Sequence, residues 1–228
     1  MSQKLKALIV QHEEPTPPGL LLEWLLKHEF SVDILRIDIE ARVPPATSYD
    51  LIASLGSDYS AYDETVPFVH LESALIREAV SADVPCLGLC FGGQLMAHAL
   101  GGRSFRAQRP EIGWRAIRSR DPLLIDEGPW FEWHVDTFSL PPGSTLLAET
   151  DVGPQAYVIG RSLGLQFHPE ATPEIVETWV RGGRRQLEAS GVDSDQLLDE
   201  TNRSAADVRH RSELLFSRFV GSIAKLNA

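Results

Sequence analysis

One cysteine in this chain stands where a thiol becomes reactive. The segment Gly88-Leu89-Cys90-Phe91-Gly92-Gly93-Gln94 sets Cys90 between glycines, where an apolar run gives way to a helical pattern. A nucleophile on such a strand-to-helix turn is held on a sharp corner, with glycines allowing close backbone packing. The start of the helix supplies free N–H groups and the positive end of a dipole. Both favour the thiolate, the form of cysteine that attacks and is acylated. The N–H of Phe91 is placed to donate to an oxyanion formed at Cys90.

A base with its own acid follows later, at Leu165-Gln166-Phe167-His168-Pro169-Glu170. Residues i and i+2 of an extended chain share a face. Pro169 keeps the chain from continuing a sheet ladder. Glu170 can therefore hold one ring nitrogen of His168 while the other faces a nucleophile. His134 competes with His168 as a base, but its only acid at i+2 is Asp136. A Gly-x-Cys-x-Gly elbow also occurs in α/β-hydrolases, where the acid precedes the histidine and stands far from it. Here the acid follows by two residues, which points to a different family.

The elements that must position these residues read as alternating strands and helices. Lys6–Val10, Ser31–Ile37, Asp50–Leu55 and Val84–Leu89 are predicted strands. Leu20–His28, Pro67–Val80 and Phe91–Leu100 are predicted helices. Alternation of this kind predicts a doubly wound parallel sheet, with ligands outside the carboxyl ends of the strands. Cys90 lies at such an end. Gly113–Ser119, Thr145–Glu149, Gln155–Ile159 and Leu163–Phe167 read as an antiparallel extension of the sheet. Pro173–Ala189 and Ser204–Lys225 read as helices, with the polar stretch Ser190–Arg203 as a mobile loop between them. No linker divides the chain, so residues 1–228 are expected to form a single domain.

The formal net charge of −11 over 228 residues disfavours nucleic acid and anionic membranes as partners. No apolar run is long enough to span a bilayer, and the first apolar run, Ala7–Val10, is too short for a signal-peptide core. A cytoplasmic location is expected. The two cysteines, four residues apart, are separated by roughly 13 Å if the segment is extended. A disulfide needs Cα atoms within about 7 Å, so both thiols are expected to be free. Cys86, inside the apolar strand, reads as a core residue.

The elbow Gly88–Gln94 and the later His168-Pro169-Glu170 together make the sequence resemble a class I glutamine amidotransferase of the triad type. The resemblance implies a flavodoxin-like, mostly parallel sheet with helices on both faces. It implies Cys90 as nucleophile, His168 as acid and base, Glu170 as its orienter, and Gln94 in contact with bound glutamine. It implies no metal and no cofactor. A second oxyanion N–H is expected from the turn Ser54-Leu55-Gly56-Ser57-Asp58, with Gly56 as donor, although the family commonly has two glycines and a proline there. Trp133-His134-Val135-Asp136 resembles the His-Gly-Asp loop of the branch that includes the glutaminase domain of GMP synthetase. There Asp136 would accept from the substrate ammonium. Glu111-Ile112-Gly113-Trp114 resembles the same branch and receives no chemical role. Three functions stay open: a glutaminase that passes ammonia to a separate synthetase subunit, a stand-alone γ-glutamyl peptide hydrolase, and a non-catalytic binding or regulatory protein.

Overall fold

The computed structural model describes residues 4–40 and 42–227. Four strands with continuously buried runs carry the centre: β1 (Lys6–Gln11), β3 (Leu51–Ser54), β4 (Cys86–Leu89) and β10 (Ser162–Leu165). Strands buried on both faces are apolar throughout, which is why these segments do not alternate with polar residues. With the edge strand β2 (Ser31–Arg36) they pair in parallel in the order β2-β1-β3-β4-β10. The sheet continues antiparallel through β9 (Pro154–Ile159), β8 (Thr145–Glu149) and β6 (Arg118–Ser119).

Alternate residues of each central strand enter different cores. Ala7, Ile9, Leu87 and Leu89 face α1 (Gly19–Lys27) and α6 (Ser194–Arg218). Leu8, Val10, Ile52 and Cys86 face α2 (Pro67–Ser81) and α3 (Phe91–Ala99). The fold is thus flavodoxin-like, a mostly parallel sheet covered on both faces, as the sequence implied. Both cysteines are free.

Five expectations are corrected. The segment Gly113–Ser119 is not one strand of the main sheet. Gly113–Arg115 ends β5 (Arg103–Arg115), which pairs antiparallel with β7 (Trp130–Ser139) in a separate two-stranded ribbon. Trp133–Asp136 is not a loop but the middle of β7. The polar stretch Ser190–Arg203 is not a loop: most of it starts the 25-residue α6, capped by the Asp193 carboxylate, which accepts from Gln196 N at 2.9 Å. Its buried positions Leu197, Thr201, Val208, Ser212 and Leu215 keep helical spacing, although two of them are hydroxyl residues and add no hydrophobic signal. The predicted helix Pro173–Ala189 is two, α4 (Pro173–Gly182) and α5 (Arg184–Ser190), divided at Gly183, and α6 passes into a π-turn over Phe219–Ile223 instead of running to Lys225.

Candidate active site

Cys90 occupies the corner between β4 and α3 with φ 50° and ψ −107°. A non-glycine residue held there stores about 1–3 kcal/mol. Three hydrogen bonds hold the turn: Cys90 N to Leu165 O at 2.9 Å, Gly92 N to Leu55 O at 3.0 Å and Gln94 N to Cys90 O at 3.0 Å. At about 0.5–1.5 kcal/mol each they match the strain. The glycines are steric necessities, since a Cβ on Gly88 would stand 2.6 Å from the Gly92 backbone and one on Gly92 2.3 Å from Ser54 O.

His168 follows β10, the strand paired with β4. Its N–H donates to Phe131 O at 2.8 Å, and the carbonyl of Glu170 accepts from Leu20 N at the start of α1 at 3.0 Å. These bonds fix the His-Pro-Glu segment beside the corner. His168 Nδ1 donates to Glu170 Oε1 at 2.7 Å, with both residues buried. The Trp179 ring of α4 meets the imidazole at 4.7 Å in a T-shaped contact. Burial alone would lower the His168 pKa, but the charges of Glu170 and Cys90, with hydrogen bonds to both, hold it well above the ordinary value. Cys86, buried within β4 against α2 and α3, has its thiol pushed up to about 12 by burial. Only one of the two thiols has a base beside it.

Gly56 follows β3 and lies between the two groups: an ideal Cβ there would be 3.0 Å from His168 Cε1 and 3.9 Å from Cys90 Cβ. Phe91 is the first residue of α3. Gln94 is buried, and its Nε2 donates to Asp136 O at 3.1 Å and Gln166 Oε1 at 3.2 Å, so its donors are committed to the protein. Asp136 is buried on β7. Its carboxylate accepts from Ser60 Oγ at 2.5 Å and Tyr62 OH at 3.4 Å, with Arg106 Nη1 at 4.0 Å. The structure brings all seven predicted residues to the carboxyl ends of β3, β4 and β10 and the face of β7.

Two features of the site lie outside the sequence reading. Gln166 Nε2 sits 3.6 Å from Cys90 Sγ. Its position two residues before His168, on the same face of an extended segment, was the available signal. The second is a buried cluster on the ribbon behind the thiol. His134 Nδ1 donates to Asp136 O at 2.8 Å, and Nε2 lies 3.2 Å from Glu111 and 3.4 Å from Glu132. Burial lowers the His134 pKa, but the two carboxylates outweigh it and raise it to about 10. Glu111 therefore has a structural partner. Among the described residues, no group of three or more His, Cys, Asp or Glu is arranged to hold a metal ion.

A family model for glutamine amidotransferase class-I matches residues 20–178. The chain is 37% identical over 142 residues to a glutamine-hydrolysing GMP synthase of Thermus thermophilus, a match covering 56% of this chain and 28% of that protein. It is 29% identical over 198 residues to the glutamine amidotransferase-like protein YfeJ of Salmonella typhimurium, covering 80% of this chain and 83% of the relative. The chain thus spans little more than a quarter of the synthase but most of the second relative. A crystal structure of a glutamine amidotransferase from Thermotoga maritima superposes with a TM-score of 0.86 at 30% identity, over 96% of this chain and 100% of that one.

Proposed function

The chain belongs to the class-I glutamine amidotransferase family, and from that premise we propose that it hydrolyses the side-chain amide of glutamine through a thioester on Cys90. The observation that carries the reading is the strained Cys90 corner set beside His168, whose far nitrogen is held by Glu170 at 2.7 Å. The raised basicity of His168 suits it to hold the proton that the attacking thiol gives up. In the proposed cycle the thiolate attacks the amide carbon, and the oxyanion accepts from the N–H groups of Gly56 and Phe91. His168 then gives its proton to the departing nitrogen, so ammonia leaves and the γ-glutamyl thioester remains. His168 next takes a proton from water, which attacks the thioester and releases glutamate. Asp136 takes the substrate ammonium: a carboxylate has about four lone-pair sites, so Ser60 and Tyr62 leave it capacity. Gln94 lines the same pocket.

A synthetase is the proposed ammonia acceptor, by likeness to the glutamine-hydrolysing GMP synthase of Thermus, of which this chain matches 28%. Hydrolysis of γ-glutamyl peptides is the second reading, since the same thiol and acid–base pair would cleave a γ-glutamyl amide whatever its leaving amine. The test is turnover by the purified chain of glutamine and of a γ-glutamyl dipeptide, followed as glutamate release. Glutamine hydrolysis lost in Cys90→Ala is the expected result. Turnover of the dipeptide alone selects the second reading, and no turnover with an unreactive Cys90 returns the non-catalytic one.

A further inference from the structure

His12, just past the carboxyl end of β1, has no role in the cycle above. Its side chain and that of Glu72 on α2 are fully buried. His12 Nε2 is 2.7 Å from Glu72 Oε2, and Nδ1 is 3.0 Å from the carbonyl oxygen of Gly56. A carbonyl only accepts, and so does an ionised carboxylate. With both nitrogens facing acceptors, the ring satisfies them as an imidazolium. Burial opposes that charge, but Glu72, the Gly56 carbonyl and Glu13 together outweigh it and the pKa is raised. The same ring meets Phe91 edge-on, with centroids 4.6 Å apart. His12 thus touches both residues assigned above to the oxyanion.

Gly56 needs such a partner. A Cβ there would press on His168 Cε1 at 3.0 Å, so the position suits glycine. Glycine is also the residue whose flanking peptides rotate most freely. The peptide before it is held through Leu55 O, which accepts from Gly92 N at 3.0 Å. The carbonyl after it is held by His12. We propose that the buried His12–Glu72 pair is a positioning device that locks the Gly56 backbone, so that its N–H stays aimed at the oxyanion formed at Cys90. The inference rests on the reading of Gly56 as an oxyanion donor. A bland alternative is that the pair only ties α2 to β1.

Two near-isosteric variants separate these. His12→Asn places an amide nitrogen where Nδ1 stood and keeps the bond to Gly56. His12→Gln places one where Nε2 stood and keeps only Glu72. His12→Gln should lower kcat for glutamine by about ten- to a hundredfold, at most the effect of losing one oxyanion donor, with KM within about twofold. His12→Asn should recover kcat to within about fivefold of wild type. Alkylation of Cys90 by iodoacetamide needs no oxyanion hole and should be unchanged in both. Deuterium uptake at the Gly56–Ser57 amides should rise in His12→Gln and not in His12→Asn. Equal losses in the two variants, a loss expressed in KM, or alkylation falling in parallel with kcat would each overturn the lock. If His12→Gln does not fold, raised uptake at Gly56 in His12→Asn still overturns it. The exchange readout needs no turnover, so a wild type that hydrolyses neither substrate refutes the proposed activity, while uptake in the variants still decides the lock.

Discussion

Two buried histidines flank the thiol, each with a carboxylate, and they are built for opposite ends. His168 spends one nitrogen on Glu170 at 2.7 Å and keeps the other toward Cys90. His134 spends both: one on the carbonyl of Asp136, the other between Glu111 and Glu132. A base must have a nitrogen free to take a proton from the reacting group, so geometry and not residue type separates them. His168 hangs from the end of a central parallel strand, where the sheet opens to ligands. His134 lies inside an antiparallel ribbon, and its charge balances a buried acid pair. Burial of a histidine beside an acid is therefore not a catalytic signature by itself.

The comparison breaks most visibly in catalysis. His168→Ala should approach Cys90→Ala, with kcat down by about 10⁴-fold or more. Glu170→Ala should be roughly a hundredfold milder, since it orients the ring and does not move the proton. The double variant His168→Ala/Glu170→Ala should cost no more than His168→Ala, because the members act as a unit. Additive losses in steady-state kinetics would contradict a shared triad.

His134→Gln should act on stability instead, by about 3–5 kcal/mol, because it leaves Glu111 and Glu132 buried without their cation. The pH dependence has a definite sign. The folded pKa of about 10 lies above the ordinary 6.5, so the folded state holds the extra proton between those values. That stabilisation is full below pH 6.5 and is lost as pH rises toward about 10. Urea midpoints from pH 6 to 10 should fall steeply in the wild type and more shallowly in His134→Gln. Parallel slopes would remove the charge from His134. The smallest effect is expected at Asp136→Asn, where the loss of one charge-assisted hydrogen bond to the substrate ammonium should raise KM by about ten- to a hundredfold and leave kcat nearly alone. A collapse of kcat alone would recast Asp136 as part of the chemistry.

Much of the parallel half was legible because its signals are local. Apolar runs of four to six residues, separated by helical periodicity, give β1, β3 and β4 within a residue or two. The Cys90 corner and the His168–Glu170 pair lie within short segments whose spacing alone implies the geometry. The ribbon was not legible. β5 carries Arg103, Arg106 and Arg109 on an exposed strand, with a register shift between Arg106 and Glu111 that breaks its alternation. The start of α6 hides for a related reason: its buried face includes Thr201, whose hydroxyl is satisfied by donating to Leu197 O and accepting from Trp114 Nε1. Glu72 stands 60 residues from His12 and Glu111 stands 23 from His134, separations that no local spacing rule links, although Glu132 lies two residues from His134 on the same strand face. Gln166 was within reach, since it shares the face of His168.

The central claim is that Cys90, and not Cys86, is the thiol activated by His168. Intact mass spectrometry after exposure to a diazo-ketone analogue of glutamine tests it directly. The wild type should carry a single adduct, present in Cys86→Ala and absent in Cys90→Ala. Its formation should slow sharply in His168→Ala and only slightly in His134→Gln. An adduct that survives Cys90→Ala, or that slows equally in the two histidine variants, would contradict the account.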